Sequence, residues 1–245
     1  MPPLAGLLAA IAVVLLALVP LGWRAGWWGE FRFPLLTLMP WAAYFGLAAF
    51  VVAVFCLLLG RARIGWSGIT TAVAALVVGG VIAYVPWHYD QIRKTVPSIH
   101  DITTDFDNPP AFVAVVPART AEGGNPVAYE GSKIAEQQRR AYPDIAPLDL
   151  KFGRDAAFQR ALDAAKGMGW TIVATDEAAG RIEANDRSRW MGFTDDVVIR
   201  VAATDGGSRI DVRSSSRLGR SDFGVNAARV RTYLAALRTA AGGQS

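Results

Sequence analysis

His100 and Asp101 stand side by side, and Asp105, Asp107 and Asn108 follow closely. An imidazole with nearby carboxylates can ligate a divalent ion or exchange protons in general acid–base work. The spacing has neither the paired histidines of a zinc helix nor the glycine of a calcium loop. The other histidine, His88, falls at the edge of an apolar run, which leaves a helical phosphohydrolase site short of ligands. The plainer reading is an extended segment whose Asp and Thr side chains bond their own turns before Pro109.

Two further groupings could carry chemistry. Asp195 and Asp196 are adjacent carboxylates, but consecutive strand residues point to opposite faces, so they do not form a dyad. Asp195 is expected to end a turn, and Asp196 to pair with an arginine of a neighbouring strand. Arg213, Ser214, Ser215, Ser216 and Arg217, then Arg220, make the stronger binding candidate. They leave a strand and lead to a helix start at Asp222, where amides and guanidinium groups suit a phosphate or carboxylate. Asp222 opposes this, because an acid at the cap already occupies those amides. The alternative is that Arg213 and Arg217 pair with Asp196, Asp211 or Asp101 and hold a proline-rich segment on the sheet. The ligand-binding candidates are therefore His100, Asp101, Asp105, Arg213, Ser216, Arg217 and Arg220, with an anionic ligand or lipid headgroup as the occupant. No nucleophile elbow, phosphate loop or dinucleotide fingerprint is present, so neither a cofactor nor a metal is expected.

The elements that must position these residues divide sharply by charge. Residues 1–87 carry Arg24, Glu30, Arg32, Arg61 and Arg63 as their charged side chains. The chain's net charge of +4 splits into +3 for that part and +1 for the remainder. A nearly neutral polar half lacks the positive field that nucleic-acid binding needs. Cys56 is the one cysteine, which excludes an intramolecular disulfide and a thiolate metal site.

Residues 1–87 read as a transmembrane region, with helices at about 4–22, 35–59 and 66–87, each long enough to cross about 30 Å of hydrocarbon. Trp23, Trp27, Trp28, Phe31 and Phe33 follow the first run, and Trp87 and Tyr89 follow the third, as in an interfacial belt. Ser67, Thr71, Ala75, Gly79 and Ala83 recur every fourth residue in helix 66–87. That face suits close packing within the chain, or a second copy or a membrane-protein partner. No acid, base or amide lies mid-span to form a substrate path, so a channel would require oligomerisation through this helix. The first run lacks a basic leader, and residues 18–22 make a poor cleavage site, so it is expected to stay. Arg61 and Arg63 lie on one side of the membrane, with Arg24, Arg32, Arg93 and Lys94 on the other. The positive-inside count thus favours a cytoplasmic polar half by two charges.

Residues 88–150 read as a proline-rich extended segment with one short helix at 132–141. Residues 151–241 read as an α-ββββ-α soluble domain. Phe158, Ala161, Leu162 and Ala165 share one helical face. Strands follow at 170–175, 181–187, 196–203 and 209–214, the last pair joined by a turn at Asp205-Gly206-Gly207. Asp222 caps a last helix whose stripe is Phe223, Ala227, Val230, Leu234 and Leu237. The expected fold is α+β, a two-layer sandwich of a four-stranded antiparallel meander and two helices. Its outer face carries Arg181, Glu183, Asn185, Arg200, Arg209, Asp211 and Arg213, which cross-strand ion pairs would satisfy.

Several stretches have a family likeness. They are PSIHDITTDFDNPPAF at 97–112, YPDIAPL at 142–148, GRIEAN at 180–185, GFTDDVVIRV at 192–201 and RIDVRSSSRLGRSDFGVNAAR at 209–229. Together they resemble the uncharacterised family catalogued as domain of unknown function 1499, over about residues 96–237. The resemblance implies a domain often sited on the outer face of a bacterial inner membrane, or in a plastid, and it implies no activity. The expectation is a membrane-anchored binding or assembly module without catalysis, its polar domain periplasmic. The alternative is a membrane-bound hydrolase-like enzyme in which His100, Asp101 and Asp105 meet Arg213 and Arg217.

Overall fold

The computed structural model describes residues 1–60 and 64–242, so Arg61 and Arg63 lie outside the described residues. The chain forms two compact units, Met1–Lys94 with Arg189–Gly192, and a second that begins at Thr95.

The first unit holds α1 (Pro2–Arg24), a π-helical turn (Pro34–Leu38), α2 (Met39–Leu59) and most of α3 (Trp66–Thr95). All three helical spans are long and apolar enough to cross a membrane. They bury their small side chains against one another. Ala5, Ala9, Ala49, Ala53 and Ala75 form one cluster, and Ala12, Ala42 and Ile82 another. Larger side chains such as Leu7, Trp41, Phe55, Val77 and Tyr84 stay exposed, where lipid would cover them. The buried residues of α3 are Ala72, Ala75, Gly79 and Ile82, while Ser67 is exposed. A strict fourth-residue stripe drifts about 40° per step around a helix of 3.6 residues per turn, so its ends leave the interface.

The third helix runs beyond residue 87, so residues 89–95 are helical rather than extended. Asp90 accepts from Arg93 at 2.8 Å and Lys94 at 2.6 Å, ion pairs at helical spacing. The helix stops just before Val96-Pro97, where the proline disfavours helical backbone at the residue preceding it.

The second unit contains α6 (Arg154–Gly167), β3 (Thr171–Asp176), β4 (Arg181–Arg187), β5 (Thr194–Thr204), β6 (Gly207–Ser216) and α7 (Val225–Gly242), the expected helix, four strands and helix. The four strands are an antiparallel meander. The sheet has six strands rather than four. The proline-rich segment supplies β1 (Asp101–Thr103) and β2 (Leu148–Leu150), both antiparallel to β6 along its free edge. It also supplies α4 (Val116–Ala121) in addition to the expected α5 (Ser132–Ala141). Three-residue strands carry too little alternation to be read from sequence.

One sheet face packs on α6 and α7. Ile182, Val197, Ile199, Val201, Ile210 and Val212 meet Phe158, Ala161, Val230, Leu234 and Leu237, all 3% exposed or less. Tyr233 lies in this core stacked on Trp170 with ring centres 5.1 Å apart, and its hydroxyl donates to the Ala161 carbonyl at 2.8 Å. Phe223 departs from the expected stripe. It precedes α7 with φ of 55° and is 38% exposed. Asp195 departs too, lying within β5 rather than ending a turn.

The opposite sheet face is not left to solvent. Phe112 and Val115 pack on Val198 there, and the amides of Val113, Ala114 and Val115 donate to the Glu183 carboxylate at 2.9–3.1 Å. In the membrane unit, a Cβ on Gly79 would stand 2.4 Å from the Gly46 carbonyl oxygen and 3.0 Å from the Phe50 nitrogen. Gly79→Leu should therefore destabilise the protein in detergent by about 1–3 kcal/mol. Gly80→Leu, whose Cβ meets only the Phe50 ring at 3.3 Å, should cost less in the same thermal unfolding measurement.

Candidate functional site

The seven sequence candidates fall in three places. Asp101, Asp105, Arg213 and Arg217 belong to the polar layer between the sheet and its proline-rich cover. His100 and Ser216 lie at the edge that faces α7. Arg220 is exposed on the loop beyond β6.

Asp101 opposes Ser215 in the β1–β6 register, which sets its carboxylate beside the Arg213 side chain of the same strand. Arg213 grips Asp101 with two donors, at 3.0 Å and 2.7 Å. Its remaining nitrogen valence goes to the carbonyls of Pro110 at 3.4 Å and Val127 at 3.0 Å. The guanidinium also lies 4.7 Å from the centre of the Phe112 ring. Both members are 2% exposed or less. A buried charge needs this completeness, because each unpaired group would carry a desolvation cost of several kcal/mol.

Asp196 is the second anchor, fully buried on β5. Arg217 donates to both of its oxygens at 2.9 Å and 2.8 Å, then reaches Glu122 at 2.7 Å. The Asp196 carboxylate, with help from Glu122, pushes the Arg217 pKa up. Arg119 of α4 enters from the covering segment and donates to Asp196 at 3.1 Å, the Ser215 hydroxyl at 2.8 Å and the carbonyls of Ser215, Ser216 and Pro126. Sequence reasoning missed Arg119. It sits in a short helix after Pro117, and nothing in its spacing marks it as a partner of a strand so distant in the chain.

Asp105 completes the layer. One oxygen accepts the amides of Asp107 and Asn108 at 3.1 Å and 3.0 Å, and the other accepts Arg200 at 2.8 Å. Burial pushes its carboxyl up, but those amides and the guanidinium outweigh burial and hold it below the usual range. Arg200 also bonds Asp211 across the strands at 2.9 Å, and Arg209 bonds Asp211 at 3.1 Å. The Asp and Thr side chains before Pro109 thus bond their own turns and the sheet. Among the described residues no cluster of three His, Cys, Asp or Glu side chains could hold a metal ion.

His100 is 6% exposed, with Nε2 at 3.6 Å from Glu130, and burial pulls its pKa below 6.5 despite the charges of Asp101 and Glu130. The Ser216 hydroxyl accepts from Asn226 at 2.9 Å, and Asn226 also donates to the His100 carbonyl at 3.0 Å. Arg229 of α7 closes this edge by donating to Asp186 at 2.9 Å and Asp195 at 2.7 Å. Asp195 and Asp196 therefore point to opposite faces, Asp195 to Arg229 and Asp196 to Arg119 and Arg217. The Tyr129 hydroxyl is buried without a hydrogen-bond partner among the described residues, and burial together with the Asp101 charge pushes its pKa up to about 12. That proton stays in place through the physiological range, so Tyr129 is no base. The Asp222 side chain accepts the amides of Gly224 and Asn226 at 2.9 Å and 2.8 Å, occupying the anion position at the start of α7.

Asp196→Ala should cost about 3–5 kcal/mol in urea unfolding, because Arg119 and Arg217 then stay buried without their acceptor. Arg220→Ala should stay within about 0.5 kcal/mol. His100 should set an acid limb. Its folded pKa lies below its unfolded value of 6.5, so the unfolded state binds more protons in that window. Its contribution is fully present above pH 6.5 and is lost as pH falls below that value. Unfolding midpoints measured against pH should show a shallower decline in His100→Gln.

The comparisons with known proteins agree with the distribution of these residues, which all lie in the second unit. No curated protein matches the chain. Residues 101–237 match the family model described as protein of unknown function (DUF1499), and the chain, more than half of it covered by that match, belongs to this family.

Proposed function

We propose that the chain is a membrane-anchored, non-catalytic binding or assembly module, set in a bacterial inner membrane with its polar domain on the periplasmic side. The observation that carries this reading is the closure of the polar layer. Asp101, Asp196, Asp211, Arg119 and Arg213 are each 2% exposed or less, and each carboxylate is matched by a guanidinium. A general acid or base must reach a substrate within hydrogen-bond distance, directly or through one water. These groups already spend their bonds on one another.

Three membrane-length helices support anchoring of the domain to lipid. The resemblance of residues 96–237 to a domain often sited on the outer face of a bacterial inner membrane supports the periplasmic side, against a two-charge excess that favours the other. A second copy or a membrane-protein partner would meet helix 66–87 on its outward side chains, Val73, Val77, Val81 and Tyr84, each 45–59% exposed. Of its small residues, Ala75 and Gly79 are taken up within the chain.

Cross-linking in intact membranes, followed by affinity capture and protein identification, should recover a defined partner with wild type and with Asp105→Asn alike. Turnover of a phosphate or ester substrate that Asp105→Asn abolishes without unfolding would contradict the non-catalytic reading. Labelling of Asp205→Cys by an impermeant reagent in spheroplasts is expected, with Cys56 replaced by Ser. Protection there with labelling after lysis would place the domain in the cytoplasm.

A further inference from the structure

Four residues of the β4–β5 connection, Arg189–Gly192, belong to the first compact unit together with Met1–Lys94. The connection narrows to a neck just before them. The Ser188 amide donates to the Phe193 carbonyl at 2.9 Å, and the Phe193 amide to the Ser188 hydroxyl at 3.0 Å. Gly192, with φ of 75°, supplies the left-handed backbone that returns the chain to β5. Beyond the neck the tip carries Arg189, Trp190 and Met191.

This composition suits a boundary between water and lipid. Trp170 and Trp190 are the tryptophans that follow residue 87. Trp170 is 5% exposed in the core, whereas Trp190 is 43% exposed. An indole gains at headgroup level, where its ring meets acyl chains and its N–H meets water. Arg189 is exposed beside it and makes no ion pair among the described residues. A guanidinium there has donors to give to a phosphate. Met191 is 5% exposed, so the tip is packed on one side and open at Trp190.

Within the first unit, α1 sets the depth of this tip. The Arg24 guanidinium donates to the Arg189 carbonyl. The 23 residues of α1 rise about 34 Å, against about 30 Å of hydrocarbon. Arg24, the last of them, therefore stands where acyl chains give way to headgroups. The aromatic rings beside it mark the same level, with Trp23 and Phe31 centred 6.3 Å apart and Trp28 and Phe33 5.3 Å apart. Three successive spans reverse direction at each connection, so Arg24 and the end of α3 emerge on one side. The tip thus meets Arg24 without crossing the bilayer.

We propose that the β4–β5 tip is a second membrane anchor, with Trp190 seated in the phospholipid headgroup layer and Arg189 donating to lipid phosphate. This rests on the membrane-anchored reading above and adds a named partner to it. Lipid is the occupant because an exposed ring at the end of a span is surrounded by headgroups.

Photo-cross-linking of the full-length protein in nanodiscs containing phosphatidylglycerol tests the proposal. p-Benzoylphenylalanine takes the place of Trp190 in one variant and of Asp205 in another. Asp205 follows the far end of β5, an 11-residue strand, and so lies about 35 Å from the tip. Mass spectrometry should find a lipid adduct at position 190 and none at 205. Arg189→Glu should lower the adduct at 190 about fivefold, the factor for one basic residue at an anionic surface. An unchanged adduct would overturn the role given to Arg189. Absence of lipid at 190, equal adducts at both positions, or cross-links from 190 to this chain alone would overturn the proposal. Trp190→Phe gives a reading without the probe: the emission it removes should be the part quenched by lipids brominated near the headgroup. An unquenched difference would again overturn the proposal. Failure of the protein to enter discs would overturn the anchor reading itself, and is seen before any cross-linking.

Discussion

Buried guanidinium–carboxylate pairing is the constraint on which the polar domain depends. The covering segment, residues 105–127, has little apolar surface with which to hold itself to the sheet, Phe112, Val115 and Val198 being its small cluster. Arginines do the rest. Arg213 joins Asp101 of β1 to the carbonyls of Pro110 and Val127. Arg119 carries α4 onto Asp196 and the end of β6. A planar guanidinium can bond one carboxylate with two donors and still offer others to carbonyls, which a lysine cannot do. Such pairs add little net stability compared with apolar packing, but losing one partner is costly. They therefore act by fixing where the segment lies.

The same pairing divides the residues that look like a site. His100, Asp101 and Asp105 look like a ligand set because they lie close together in the chain. Strand alternation turns His100 and Asp101 apart, and each of the three finds a separate partner. Arg220, on the rim, is exposed and forms no ion pair among the described residues. The membrane unit is built on another rule. Without water to drive apolar surfaces together, helices approach where side chains are smallest, and Gly79 on Gly46 is the closest point.

Much of this was legible in the sequence, for physical reasons. Charge distribution marked the three spans, because an ion is costly in hydrocarbon. Period-two alternation of Val197, Ile199 and Val201 marked a strand with one face on the core. The pairing of Asp196 with an arginine was also legible, since adjacent strand carboxylates must diverge. The cover over the second face was not. Its residues show no period, and its strands are three residues long, set by pairing with β6 rather than by local pattern. Arg119 was illegible for the same reason: its partners lie 77 and 96 residues away. Helix α3 outran its apolar run because length in lipid limits hydrophobicity, not helicity, and Asp90, Arg93 and Lys94 continue the helix into water.

The central claim is that buried ion pairs hold the cover in place rather than serve a substrate. A double-mutant cycle between Asp101 and Arg213, with Asp101→Leu, Arg213→Met and the double variant, measures this directly by urea unfolding. The account predicts a coupling energy of about 1–3 kcal/mol, with each single change much more damaging than its share of the double. Coupling near zero, with both single variants as stable as wild type, would contradict it.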